Sequence, residues 1–276
     1  MPEHASGSGA PRVIAVLAVR NERPYLANNL RHLIENGIDY CIIDNESSDG
    51  TRELLARPPF ARHLVDLRTH PFDGTFDWTG LMRAREVAAR NADADWILFV
   101  SADEIMHSYR PQESLVDAIG RVDRGGWDVI NFNEFVFLPV ELDYIVDCEG
   151  PQPLLHYYFF EPTSPRLMRA RRKGLEVSHV EHGGHVLTGA EFRLCPETFA
   201  LRHYIFRNLE HAKSKYRDRV FRELELSKGW HWDRARRHGD SFAMPGLDQL
   251  HRLQSPEDRA LNRCAPRKTN YWLWAG

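Results

Sequence analysis

Residues 96–106, Trp-Ile-Leu-Phe-Val-Ser-Ala-Asp-Glu-Ile-Met, constrain this chain more than any other stretch. Ile97 to Val100 is a continuous apolar run rich in β-branched and aromatic side chains, which predicts a strand buried on both faces. The run breaks at Ser101-Ala102-Asp103-Glu104. Adjacent carboxylates at the end of a buried strand need water, a helix N-terminus or cations to meet them. The carboxyl ends of strands in an open α/β sheet are also where ligands bind. Asp103 and Glu104 therefore read either as a cap of the next helix or as part of a ligand site.

The same pattern, an apolar run followed by polar groups, occurs twice upstream. Residues 12–19 end in Arg20-Asn21-Glu22, and residues 40–43 end in Asp44-Asn45-Glu46-Ser47-Ser48-Asp49-Gly50-Thr51. Between them Leu26, Leu30, Leu33 and Ile34 recur at helical spacing, with Gly37 as the stop. Strand, helix, strand predicts parallel pairing. Further on, the pattern predicts a short strand over 64–67, a loop over 72–79 and a helix over 81–90. A helix over 111–122, a strand over 127–140 and an acidic, proline-flanked loop over 143–153 come next. Short strands are expected at 157–160, 165–170, 175–180 and 201–204, then one amphipathic helix over 208–226. The tail carries Trp230, Trp232, Trp272 and Trp274 among basic residues. Such aromatics can bury the helix, form a homodimer contact or stack on sugar rings.

Composition narrows the function classes. A net charge of -3 argues against a nucleic-acid partner. No apolar stretch reaches the ~20 residues of a membrane span. Residues 1–11 are small and polar and lack the apolar core of a signal peptide, so a disordered leader is expected. The four cysteines are scattered with no Cys-x-x-Cys pair, which fits reduced thiols and a cytoplasmic location. No Gly-x-Gly-x-x-Gly follows the first strand, which removes a nicotinamide-dependent dehydrogenase.

Three segments together resemble family 2 of the glycosyltransferases: Ala18-Val19-Arg20-Asn21-Glu22 with Gly37-Ile38-Asp39, then Ile42 through Thr51, then Trp96 through Glu104. A fourth, His203-Tyr204-Ile205-Phe206-Arg207-Asn208 with Lys213 or Lys215 downstream, resembles the His-Tyr-x-x-Arg ending of a bacterial branch. The resemblance implies an α/β, GT-A-type fold with a mostly parallel central sheet. It divides the chain into the leader, a catalytic domain over 12–205 and a helical extension over 206–276. It implies a nucleoside-diphosphate sugar as donor, an acceptor hydroxyl or amine, inversion at the anomeric carbon, and Mg²⁺ or Mn²⁺. Ala18, Asn21, Glu22, Asp44, Asn45, Ser47, Ser101 and Ala102 become candidates for holding the nucleotide. Arg83 is a candidate phosphate contact, with a solvated helix face as the alternative. Asp103 would carry the metal, with His203 and His185 as further ligands. One departure stands out: Ser101 occupies the first position of the family's Asp-x-Asp motif. Candidates for the general base are Glu181, preferred because it adjoins His182-Gly183-Gly184-His185, and Asp147, Glu149 and Glu191. A nucleotide-sugar-binding protein without transferase activity is the competing reading.

Overall fold

The computed structural model describes residues 9–140, 154–208, 211–212, 215, 219–230 and 244–274. The amino-terminal half alternates as expected: β1 (Val13–Val19), α1 (Arg23–Glu35), β2 (Asp39–Asp44), the short helices α2 (Thr51–Leu55) and α3 (Phe60–His63), β3 (Leu64–Thr69), α4 (Trp78–Asn91) and β4 (Trp96–Phe99). The strands β3, β2, β1 and β4 are neighbours in that order, and every pair among them is parallel. β1 lies at the centre, with Ala15 flanked by Tyr40 and Leu98, and Val16 by Cys41 and Phe99. Its side chains alternate between two apolar layers. Val13, Ala15, Leu17 and Val19 pack with α1, while Ile14 and Val16 pack with Leu81, Ala88 and Ala89 of α4. Helix starts follow local chemistry. Pro24 opens α1, and the Asp77 carboxylate caps α4 by accepting from Gly80 N.

After β4 the sheet becomes mixed. β5 (Glu104–His107), α5 (Leu115–Arg124), β6 (Val129–Phe137), β7 (His156–Phe160), β8 (Leu167–Arg172) and β11 (Phe199–Tyr204) follow, with the two-residue strands β9 (Val177–Ser178) and β10 (Thr188–Gly189) forming a separate ribbon. β6 organises this half. One of its edges pairs with β8 at its start and β7 at its end, both antiparallel; the other edge carries β11, parallel. β11 also pairs antiparallel with β5, which sets His203 opposite Val136 on one side and Glu104 on the other. The strand β12 (His251–Arg252) closes the sheet against β7.

Several expectations are corrected. Glu104 does not cap a helix; it starts β5, because the chain turns back at once to pair with β11. Of residues 175–180 only Val177–Ser178 is a strand, and a 3₁₀ turn over Val180–His182 follows. The single helix over 208–226 is interrupted: residues 219–222 are non-helical, Phe221 bridges to Phe76, and a separate helix α6 spans Glu223–Ser227. The expected loop over 143–153 lies outside the described residues.

One buried side chain ties the two central strands to α4. Arg85 is 2% exposed and donates to Val16 O at 3.0 Å, in the middle of β1, and to Val100 O at 3.1 Å, just past the end of β4. Replacing Arg85 by Met keeps much of the volume but strips Val100 O of its guanidinium donor and leaves Val16 O with the bond from Val100 N alone. Arg85→Met is expected to lower unfolding free energy by about 1–3 kcal/mol, the cost of one buried group left unmet. Urea unfolding checks this; an unchanged midpoint would show that water replaces the guanidinium.

Candidate functional site

The carboxyl ends of β1 and β4, the outer face of β6 and the end of β11 converge on one cavity of about 810 Å³, a size suited to a small organic ligand. Period-two alternation explains the access. Phe135 and Phe137 of β6 point into the core, while Glu134 and Val136 line the cavity. The carboxyl-terminal segment supplies another wall through Leu226, Ser227, Gly229, Trp230, Asn270 and Trp272. That segment is anchored by Glu225, which is fully buried and accepts from Thr79 N, 2.8 Å away, at the start of α4.

The turn after β4 is held from beneath. Asn29 of α1 is buried and donates to Ser101 O and Glu104 O. Ser101 N donates to the Glu104 carboxylate at 2.8 Å, and Tyr204 N donates to Asp103 O at 2.8 Å. Asp103 is thereby aimed into the cavity, where it meets two cations. Lys215 Nζ lies 2.6 Å from its Oδ2, and His203 Nε2 lies 3.5 Å from the same oxygen. The other ring nitrogen of His203, Nδ1, is 2.6 Å from Glu134 Oε1, and Arg166 pairs with Glu134 Oε2. Charges therefore alternate along Lys215, Asp103, His203, Glu134 and Arg166. A second pair, Arg169 with Glu104 at 2.7 Å, sits beside this row.

Burial alone would raise the pKa of Asp103, but Lys215 and His203 outweigh it and hold the carboxyl well below the usual range. Burial likewise opposes ionisation of Glu134, and Arg166 and His203 reverse it, so its pKa is lowered. His203 loses stability as a cation through burial and regains more from Asp103 and Glu134, which lift its pKa to about 10. Glu22 differs. It lines the cavity, burial raises its pKa, and its Oε2 is buried with no hydrogen-bond partner among the described residues.

The expected nucleotide contacts divide into two groups. Ala18, Glu22, Ser101 and Ala102 line the cavity. Asn21, Asp44, Asn45 and Ser47 do not, and each holds a loop instead. Asp44 is fully buried, pairs with Arg52 and accepts from Ser47 N; Asn45 Nδ2 donates to His70 O and Pro71 O. Asn21 Oδ1 accepts from Ser48 N, and Asn21 N donates to Ser47 Oγ, which fastens the β1 loop to the β2 loop. Arg83 is exposed on the outer face of α4, away from the lining; helical spacing turned Arg85 inward in its place. Glu181 and Glu191 are exposed and also lie off the lining, whereas Asp147 and Glu149 fall outside the described residues.

The residues expected to hold a metal meet in the cavity, each beside other charged groups. Asp103, His203 and His185 all line the cavity, but no group of three or more His, Cys, Asp or Glu side chains able to hold a metal exists among the described residues. Oδ2 of Asp103 already faces an ammonium, and both nitrogens of His203 face carboxylates, so neither ring nitrogen presents a lone pair outward. The donor set does not fit a divalent ion. Residues that sequence reading missed are Glu134, Arg166 and Arg169, which sit in strand-like stretches with no motif around them. The glycine pair makes a tight turn beside the cavity. Gly183 and Gly184 have φ of +59° and +87°, and the turn packs against Trp78, whose Nε1 donates to Gly183 O.

His203 gives the site a pH signature. Because its folded pKa lies above its ordinary 6.5, its stabilisation is complete below that value and is lost as pH rises through about 10. The unfolding free energy should fall over that window, with Asp103 and Glu134 the groups facing the ring. His203→Gln should flatten that part of the slope in urea titrations; equal slopes would mean the ring is neutral.

Residues 14–144 match the family described as Glycosyl transferase family 2. No curated protein matches the chain. Among solved structures, S. aureus TarS is 14% identical with a TM-score of 0.44, over 75% of this chain and 38% of that one. TarS 1-349 in complex with UDP is 13% identical with a TM-score of 0.43, over 75% and 63%. The mannosyltransferase PcManGT from Pyrobaculum calidifontis, in complex with GDP-Man and Mn²⁺, is 17% identical with a TM-score of 0.35, over 45% and 36%. The chain thus spans less than two thirds of each of these proteins, and likenesses this loose transfer no residue role. The stretch that matches Glycosyl transferase family 2, residues 14–144, carries β1 to β6 and so the turns of Glu22 and Asp103 that open on the cavity.

Proposed function

We propose that the protein transfers a glycosyl group from a nucleoside-diphosphate sugar to an acceptor hydroxyl or amine, with inversion at the anomeric carbon. The observation that carries this reading is the cavity at the carboxyl ends of β1 and β4. It joins Arg20, from the stretch that matches family 2, to Arg166, Arg169, Lys215, Arg219 and the imidazolium of His203, against four carboxylates. A surplus of positive charge on the lining suits a diphosphate. Trp78, Trp230 and Trp272 on the same lining offer faces for sugar rings.

In the displacement, the acceptor oxygen or nitrogen forms a bond to the anomeric carbon as the bond from that carbon to the β-phosphate oxygen breaks. The bonding pair leaves with the nucleoside diphosphate, and the acceptor's proton passes to a carboxylate. Glu181 and Glu191 face solvent, and Glu134 is held by Arg166 and His203, so Asp147 and Glu149 are the remaining candidates for that carboxylate. Ala18, Ser101 and Ala102 serve as the backbone floor for the nucleotide. Glu22 Oε2, buried without a donor, is suited to accept from a nucleotide O–H or N–H. Ser101, standing where the family's motif has an aspartate, favours a second reading: a binding protein that holds the nucleotide sugar without transferring it.

The test is a panel of UDP, GDP, CDP and dTDP sugars, scored by nucleoside-diphosphate release and by the anomeric configuration of any product. Release with an inverted product supports transfer, binding without any release supports the second reading, and neither would sink both. Glu22→Ala should weaken the best-binding nucleotide by roughly 5–150-fold, the equivalent of about 1–3 kcal/mol for one hydrogen bond to a charged group. Unchanged affinity by calorimetry would remove Glu22 from the nucleotide site.

A further inference from the structure

With no metal-binding set among the described residues, something else has to neutralise a departing diphosphate in this cavity. We infer that Lys215 takes the place of a divalent cation, so that donor binding and transfer proceed without metal. This rests on the nucleotide-sugar reading above.

Three observations converge on Lys215. Its ammonium touches Asp103 Oδ2 at 2.6 Å, the oxygen that a metal ion would need, and both side chains are about nine-tenths buried, at 9% and 11% exposure. His203, the other basic group at that oxygen, has Nε2 3.5 Å from Asp103 Oδ2 and Nδ1 2.6 Å from Glu134 Oε1, so both ring nitrogens are turned to carboxylates. Ser101 contributes a neutral hydroxyl at the position where a second carboxylate would have strengthened cation binding. A buried carboxylate with one ammonium beside it is neutral as a pair; adding Mg²⁺ or Mn²⁺ would place a double positive charge next to Lys215 and His203. That repulsion works against metal entry, while the same two groups attract phosphate oxygens.

Lys215 also has the right chemistry for the role. An ammonium carries three donors, so one N–H can stay on Asp103 while others reach phosphate oxygens. Asp103 then acts as the positioning residue that fixes the ammonium. In the displacement the electron pair of the anomeric C–O bond moves onto the β-phosphate oxygen, and Lys215 and His203 stabilise that charge as donors while keeping their protons. Arg219 and Arg166, on the same lining, extend the cationic surface along the diphosphate. The arrangement supplies charge by side chain where a metal would supply it by coordination.

Calorimetry on the full chain decides the matter. The probe is whichever of UDP, GDP, CDP and dTDP stabilises the protein most in thermal unfolding, with its monophosphate as control, each titrated in EDTA and in Mn²⁺. The expected result is diphosphate affinity equal within about threefold in the two conditions. Lys215→Met should weaken the diphosphate by roughly 10–100-fold, as expected for losing one charge-assisted hydrogen bond, and the monophosphate far less. Lys215→Arg should restore most of the loss. Diphosphate binding that appears or tightens more than about tenfold only with Mn²⁺ would overturn the inference and leave the nucleotide-sugar reading standing. So would a folded Lys215→Met that binds diphosphate like wild type. Absence of nucleotide binding in both conditions would overturn that reading and the inference with it. If Lys215→Met fails to fold, the wild-type comparison between EDTA and Mn²⁺ decides alone.

Discussion

A carboxylate stays charged in a protein interior only where cations or hydrogen-bond donors meet it, and Asp103 is the point from which the rest of the cavity is built. It stands just beyond the buried strand β4, so its charge has to be met by groups arriving from elsewhere. Lys215 comes from beyond β11 and His203 from its end. His203 in turn requires Glu134, and Glu134 requires Arg166. Each member is expensive to bury alone and stable only in the row. The row consequently fixes the relative positions of β4, β6, β8 and β11, strands whose direct pairings do not by themselves set the depth of the cavity.

The strand pairings make that row geometrically available. β11 is shared between β5 and β6, so its alternate residues can address both the Asp103 turn and the outer face of β6. His203 is the position where both requirements meet. On the opposite edge of β6, the switch from β8 to β7 leaves Arg166 at the turn between them, within reach of Glu134. A sheet of uniformly parallel strands would have covered this face with helices. The antiparallel strands leave it open for a ligand.

Much of the amino-terminal half was legible in the sequence because it rests on local pattern. The runs at 13–19, 39–44 and 96–99 are apolar on both faces, and Leu26, Leu30 and Leu33 recur with the helical period. Asp103 was legible for the same reason, as a charge where a strand ends. What sequence could not give was partnership at long range. Nothing local distinguishes Glu134 within Val129–Phe137 or Arg169 within Leu167–Arg172 from solvent-facing residues of a half-exposed strand, yet both are buried. Arg83 and Arg85 are two apart on one helix, and choosing between them required knowing which face met the sheet. Asp44 looked like a ligand contact because it ends a strand; the partner that claims it, Arg52, lies eight residues on, on a short helix.

The remaining division of the cavity follows from the carboxyl-terminal segment. Glu225 is buried against the first turn of α4, where the helix dipole favours its charge, while burial raises its pKa and its Oε2 has no hydrogen-bond partner among the described residues. A carboxylate in that position pins the segment to the same helix whose Asp77 cap and Arg85 anchor are tied to the central strands. Trp230, five residues on, then rests near Gly183, the glycine whose carbonyl is held by Trp78. The aromatic wall and the ionic row are therefore set by separate anchors on opposite sides of one space. Charge that suits a diphosphate is fixed by β4, β6 and β11, and the apolar faces that suit a sugar are fixed by α4 and the segment after it. Substitutions in either wall can change one kind of recognition while leaving the other's anchors in place.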